Sequence, residues 1–128
     1  MINYGFTKEL AMPFEKAVEA VSEALKKEGF GILTKIDIKE KFKEKLGIDF
    51  KKYVILGACN PSNAHKAILA EENIGLMLPC NVIVYEREGK AIVSVIKPTA
   101  AMSAIGNERL QQLAVSVEAQ LKKAFDSL

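Results

Sequence analysis

The chain has 128 residues, of which 49% are hydrophobic and 27% are charged, and its formal net charge is +2 at pH 7. This balance excludes an intrinsically disordered chain, and the small charge of mixed sign excludes the broad basic face that nucleic-acid binding requires. A chain of this length can bury one hydrophobic core without a metal or a disulfide. We therefore expect one soluble globular domain over residues 1–128, with no linker.

The apolar segments predict a cytoplasmic protein. Residues 1–16 lack the basic segment and the following apolar run of a signal peptide. The longest uncharged stretch, residues 73–85, is too short to span a bilayer and includes Pro79 and Asn81. Neither a membrane nor a nucleic acid is therefore expected as a partner. In a reducing compartment the two cysteines are expected to be free thiols rather than a structural disulfide.

The beginning of the chain predicts a strand followed by a long helix. Ile2, Tyr4 and Phe6 alternate with other residues, which indicates a strand with one buried face. Pro13 suits the first turn of a helix, and Gly29 suits its end because glycine tolerates a positive φ. Between these two positions apolar residues recur at spacings of three and four, which predicts one apolar stripe on the helix.

The middle of the chain predicts two more strands and two short helices. A second strand is expected over residues 31–38, and a short helix follows that Asp37 caps and Gly47 ends. Residues 53–59 form a continuous apolar run, which is typical of a central strand buried on both faces. Asn60, followed by a proline, is a suitable N-cap for the next helix.

The last third predicts a hairpin and a long helix. Residues 81–86 and 91–97 are β-branched runs separated by residues 87–90, which include a glycine. Asn107 can cap a final helix whose apolar stripe ends at Phe125. The element order is therefore β-α-β-(α)-β-(α)-β-β-α. The hairpin and the short middle helices favour an α+β fold, with a curved, largely antiparallel five-stranded sheet and two long helices on one face, over a doubly wound parallel sheet.

Residues 57–82 are the most promising place for chemistry, because they hold both cysteines, the only histidine and two of the four prolines. If the strand that ends at Cys59 pairs in an antiparallel way with the strand that begins near Cys80, both cysteines lie at one end of the sheet. Polar and soft side chains then converge beside a helix N-terminus. The candidate ligand-binding residues are Cys59, Asn60, Asn63, Cys80 and Asn81.

Three kinds of site fit this arrangement. Exposed N–H groups at the helix start would hold a small, anionic ligand in a pocket. The same helix start would lower the pKa of Cys59, the one candidate catalytic residue, and make it a redox or nucleophilic thiol. A soft metal would recruit Cys59, His65 and Cys80, which is one ligand fewer than structural zinc takes. The fourth alternative is that both cysteines are small core residues.

The phrases GACNP and LPCNV lie within a longer pattern that begins GFGILTKIDIKEKF. On these motifs the chain resembles the bacterial and archaeal family catalogued as domain of unknown function 302, nearly from end to end. The resemblance implies an α+β fold similar to the TATA-binding-protein-like class, and a homodimer. It implies no reaction, so the question of an enzyme and the identity of a cofactor stay open.

We therefore expect a homodimer that binds a small molecule at Cys59, Asn60 and Cys80. One alternative is redox or nucleophilic chemistry at Cys59, and another is a structural or interaction domain with no site. The apolar residues 99–105, together with Met77, also suit a subunit interface.

Overall fold

The computed structural model describes residues 2–128, which form one five-stranded sheet together with its covering helices. In chain order the elements are β1 (Gly5–Leu10), α1 (Phe14–Lys27), β2 (Gly31–Asp37), α2 (Ile38–Leu46), β3 (Tyr53–Cys59), α3 (Pro61–Ala70), a 3-10 helix (Glu72–Met77), β4 (Cys80–Arg87), β5 (Lys90–Ile96), α4 (Pro98–Met102), a second 3-10 helix (Ser103–Ile105) and α5 (Glu108–Asp126). The strand order is β1-β5-β4-β3-β2, and each neighbouring pair is antiparallel. The predicted element order and the antiparallel sheet are confirmed.

The two long helices, α1 and α5, pack together against one face of the sheet. Their apolar stripes contribute residues such as Leu25 and Leu121 to the main core. Every second residue of the interior strands packs against these stripes. Val82, Val84 and Val93 of β4 and β5 are fully buried there. Burying side chains of this size stabilises the fold by about 1.5 to 3 kcal/mol each. The predicted α+β architecture, with two long helices on one face, is therefore confirmed.

Local sequence signals fix the helix ends. Asp37, Asn60 and Asn107 each accept, through Oδ1, a hydrogen bond from the backbone N–H three residues later, at 2.9, 3.2 and 3.2 Å. These are N-cap bonds, which satisfy donors that the first helical turn leaves free. Gly29 follows α1 with a φ of 85°, as expected for a glycine at a helix end.

The hairpin between β4 and β5 turns through Glu88 and Gly89, which have φ values of 52° and 78°. Two consecutive positive φ values are the signature of a type I′ turn, whose twist matches that of the flanking strands. The register pairs Arg87 with Lys90 next to the turn. The predicted hairpin is therefore confirmed.

Two predictions about strands were wrong. The first strand begins at Gly5, so Ile2 and Tyr4 precede it and are exposed. β3 is an interior strand, as predicted, between β4 and the edge strand β2, but it is not buried on both faces. Its residues Tyr53 and Ile55 are only half-buried, since α1 and α5 cover the other face. The continuous apolar run of β3 therefore indicates that both faces of this strand are apolar. The helices α1 and α5 cover only one of them.

A second apolar cluster closes the end of the sheet where β3 ends and β4 begins. Its buried members come from α3, the first 3-10 helix, α4 and α5: Ala67, Ile74, Met102, Leu110 and Ala114. Hydrogen bonds hold the short helices on α5. Glu118 Oε1 accepts from the N–H and the hydroxyl of Thr99, at 3.0 and 2.6 Å, and Asn107 Nδ2 donates to the Ala70 carbonyl at 3.1 Å.

None of the helices within residues 2–128 combines the length and the hydropathy that a bilayer span requires.

Candidate functional site

The register of β3 and β4 brings both cysteines to one end of the sheet, as predicted. Ala58 lies opposite Cys80, and Cys59 lies opposite Gly31 on the other side of β3. Both cysteines are free thiols. They line the same cavity, so the candidate site is formed by strands that are 20 residues apart in sequence but adjacent in the sheet.

The cavity has a volume of about 40 Å³ and lies between the sheet end and the helices α3, α4 and α5. This volume is far below that of a pocket for a drug-sized ligand, but it accommodates one small group. Its walls are almost entirely apolar. The lining residues are Phe30, Ala58, Cys59, Asn60, Asn63, Ala64, Ala67, Leu78, Pro79, Cys80, Pro98, Met102, Leu110, Leu113, Ala114 and Val117.

A wider surface groove of about 250 Å³ adjoins this cavity, and we call it the Leu76 groove. Leu76 and Met77 form part of its wall, and the side chain of Leu76 is 87% exposed. The groove and the cavity share five lining residues, Leu78, Pro79, Cys80, Pro98 and Met102, and are therefore neighbouring spaces. The groove is lined by Leu76, Met77, Leu78, Pro79, Cys80, Asn81, Ile96, Pro98, Ala101 and Met102.

The asparagines at the start of α3 already have hydrogen-bond partners. Asn60 Oδ1 accepts from the backbone N–H of Asn63, and Asn63 Nδ2 donates to Gln120 Oε1 of α5 at 2.9 Å. Pro61, the first residue of α3, has no N–H. The helix start therefore offers an anion fewer free donors than the sequence indicated, and Asn60 and Asn63 act as structural ties between α3 and its surroundings.

Asn60 also explains why Gly29 is a glycine. A Cβ at Gly29 would lie 2.8 Å from Asn60 Nδ2, and the φ of 85° is strained for any other residue. The end of α1 and the start of α3 therefore meet at this point. This contact places Phe30, the next residue, in the cavity wall.

The expected lowering of the Cys59 pKa was wrong. Burial raises the pKa of the Cys59 thiol, because the apolar surroundings disfavour the thiolate. Burial, with a smaller effect of the neighbouring Cys59, raises the pKa of Cys80 to about 11. Both residues are therefore neutral thiols at physiological pH, which gives them the character of small, polarisable apolar groups.

The three candidate metal ligands are not brought together. His65 is exposed on α3 and does not line the cavity that Cys59 and Cys80 share. Within residues 2–128, no three His, Cys, Asp or Glu side chains are grouped closely enough to hold a metal ion. Asn81 lies opposite Gly57 and lines the Leu76 groove rather than the cavity.

Sequence reasoning missed the residues that form most of the cavity wall. Met102, Leu110 and Ala114 have the spacing of an ordinary core stripe, and Gln120 has the spacing of a surface residue. No local signal separates a side chain that fills a core from one that borders a cavity. Only the packing of α3 and α4 on α5 makes that distinction.

The comparisons with known proteins agree with the fold. The family model "Domain of unknown function DUF302" matches residues 6–128. A crystal structure described as an uncharacterized conserved protein DUF302 from Bacillus stearothermophilus is similar to this chain with a TM-score of 0.90 and 31% sequence identity, over 98% of each chain. No curated protein matches the chain. The family match covers nearly the whole sequence, and the chain therefore belongs to the DUF302 family.

Proposed function

We propose that this protein is a homodimeric domain that binds a small ligand at the cavity beside Cys59, Asn60 and Cys80. The observation that carries the proposal is the pairing of an apolar cavity with a wider, partly polar groove that shares five of its lining residues. Small-molecule sites are mostly apolar concave surfaces with a few polar groups at their rim. Asn81 supplies such a polar group at the groove.

The chemistry of the lining defines the part of the ligand that enters. The donors at the start of α3 are engaged, and both thiols are neutral, so the cavity favours an apolar group over an anion. The cavity is too small for a whole ligand, whereas the groove is open to solvent. The ligand therefore places a short alkyl group in the cavity and its polar part in the groove, near Asn81.

Movement of the shared wall would widen the passage between the groove and the cavity. Leu78 and Met102 belong to that wall, and methionine adapts to irregular shapes because its side chain is unbranched and polarisable. Leu78 is half-buried and adjoins the exposed Leu76 and Met77. Rotation of these side chains joins the groove to the cavity without any change in the sheet.

A titration with short-chain carboxylates and with alkylammonium ions of the same chain lengths tests this proposal, with backbone amide NMR as the readout. Butyrate, valerate and hexanoate should perturb the amides around Cys80, Met102 and Ala64. Each added methylene should tighten binding about fourfold until the cavity is full, because burying one CH₂ contributes about 0.8 kcal/mol. The alkylammonium series should follow the same chain-length dependence, since the apolar group carries the affinity.

The matched variants are Ala64→Leu, which fills the cavity, and Ala20→Leu, which adds the same atoms to α1 outside it. Ala64→Leu should abolish binding, and Ala20→Leu should leave it unchanged. Binding that does not depend on chain length, or equal binding by wild type and Ala64→Leu, would overturn the proposed site.

A further inference from the structure

The face of the sheet opposite α1 and α5 carries a row of three isoleucines. Ile36, Ile55 and Ile83 are direct register partners across β2, β3 and β4. Their chain neighbours Val54, Leu56, Val82 and Val84 are buried under the helices, and successive side chains on a strand point to opposite faces. The isoleucines therefore project from the other face, where Ile36 is 42% exposed.

A second row on this face is also apolar. Tyr53 of β3 lies opposite Tyr85 of β4, with their rings stacked at a centroid distance of 5.4 Å. Ile92 of β5 continues the row and is already buried within the single chain, at 4% exposure. We call the six residues Ile36, Tyr53, Ile55, Ile83, Tyr85 and Ile92 the isoleucine face. An antiparallel sheet with one solvated face normally alternates apolar and polar residues, so isoleucine and tyrosine at these positions indicate a covered surface.

We propose that a second copy of this chain covers the isoleucine face, so that the homodimer forms by packing sheet against sheet. This inference names the interface of the homodimer proposed above and does not depend on the ligand. Sheets that pack face to face lie about 10 Å apart, with interdigitating side chains. The dimer would then be a sandwich with the helices α1 and α5 on both outer sides.

The size of the face matches the requirement of a stable interface. The isoleucine face is the apolar centre of this side of the sheet. Five strands at about 4.8 Å spacing and about seven residues at 3.3 Å give roughly 550 Å² for the whole side of the sheet in each copy, including polar residues such as Ser94. Two copies would therefore bury roughly 1,100 Å², which reaches the roughly 1,000 Å² expected of a specific interface.

The charges on this face suit a two-fold arrangement. Lys51 and Arg87 lie over the Tyr85 ring, at 4.7 and 5.5 Å from its centroid, and Lys90 pairs with Glu9 at the same end. The other end of the face carries the neutral residues Thr34 and Asn81. A two-fold axis perpendicular to the strands therefore places the basic end of each copy over the neutral end of the other, which avoids repulsion between like charges.

Sedimentation analysis of the full chain, with Ile36→Lys as the main variant, tests the interface. Wild type should be a dimer at micromolar concentration, and Ile36→Lys should weaken the dimer by at least about 100-fold, because each interface then buries two unpaired ammonium groups. Val115→Lys adds the same charge on the opposite side of the molecule, where Val115 is 58% exposed, and should stay dimeric. Ile83→Thr is the second variant in case Ile36→Lys fails to fold. It keeps a β-branched residue in the strand and should also weaken the dimer.

Leu76→Lys distinguishes the isoleucine face from the Leu76 groove as the interface, and it should stay dimeric. A wild-type chain that is monomeric at about 100 µM, or a dimer that Leu76→Lys breaks and Ile36→Lys does not, would overturn the inference. Hexanoate titration of the monomeric Ile36→Lys variant separates the two proposals. The cavity residues that would contact the alkyl group, such as Ala64 and Met102, lie outside the isoleucine face, so the chain-length dependence of binding should survive.

Discussion

The two apolar clusters of this domain differ in the elements that form them. The main core lies between the sheet and two long helices, and its residues, such as Leu121 and Val93, are fully buried. The second cluster lies among short helices, includes the small residues Ala67 and Ala114, and borders the cavity. Long regular elements pack to high density, whereas short ones leave space. The difference separates the part of the chain that contributes most to the stability of the fold from the part at which we propose that a ligand binds.

The largest expected effect is the truncation of a main-core side chain. Leu121→Ala should lower the free energy of unfolding by about 2 to 5 kcal/mol, because the sheet and α1 cannot collapse into the space that is left. Leu78→Ala, at the wall between cavity and groove, should lower it by about 1 kcal/mol, since Leu78 is only half-buried. Chemical denaturation measures both values, and equal losses would contradict the distinction between the clusters.

The second effect is a pH dependence of the free energy of unfolding, which the Cys80 thiol causes. Its pKa is raised from 9.0 to about 11 in the folded state, so the folded protein holds the thiol proton more tightly than the unfolded chain. The resulting stabilisation is complete below pH 9 and is lost as the pH rises from 9 to 11, by about 2 to 3 kcal/mol in total.

Denaturation of wild type and Cys80→Ala across this pH range isolates the effect, because lysine and tyrosine titrations are common to both proteins. Wild type should lose more stability than Cys80→Ala between pH 9 and 11. Parallel curves would mean that the Cys80 thiol does not lie in the apolar surroundings described.

The smallest effect concerns the N-cap hydrogen bond of Asn60 at the start of α3. Asn60→Ala should destabilise the protein by about 1 kcal/mol, because the Asn63 N–H loses its acceptor. Asn60→Asp keeps a carboxylate oxygen at the same place and should retain most of the stability. Thermal unfolding distinguishes the two variants, and an Asn60→Asp protein as unstable as Asn60→Ala would show that the cap bond is not what Asn60 contributes.

Most of the fold was predictable because its signals are local. The caps at Asp37, Asn60 and Asn107 and the turn at Gly89 each depend on a few neighbouring residues, and all four were predicted correctly. The burial of β3 on one face only was not predictable in the same way. Strands with similar apolar runs differ in which segments cover their faces, and those segments are distant along the chain.

The candidate site was only partly predictable for the same reason. The antiparallel pairing of β3 and β4 places Cys59 and Cys80 at the same end of the sheet, as the sequence indicated. The pKa of Cys59 was mispredicted because the helix start is a local feature, whereas the desolvation that dominates the pKa comes from packing against segments far along the chain. The apolar wall formed by Met102 and Leu110 has no local signature.

A crystal structure determined under xenon pressure would show whether the cavity takes an apolar group, because xenon enters dry apolar cavities. We expect a xenon atom in the cavity bounded by Cys80, Met102 and Ala114 and none between the sheet and the helices α1 and α5. The xenon atom should be absent from the same place in Ala64→Leu. Ordered water in the cavity in place of xenon would overturn the proposed alkyl site, because a polar cavity would not select an alkyl group.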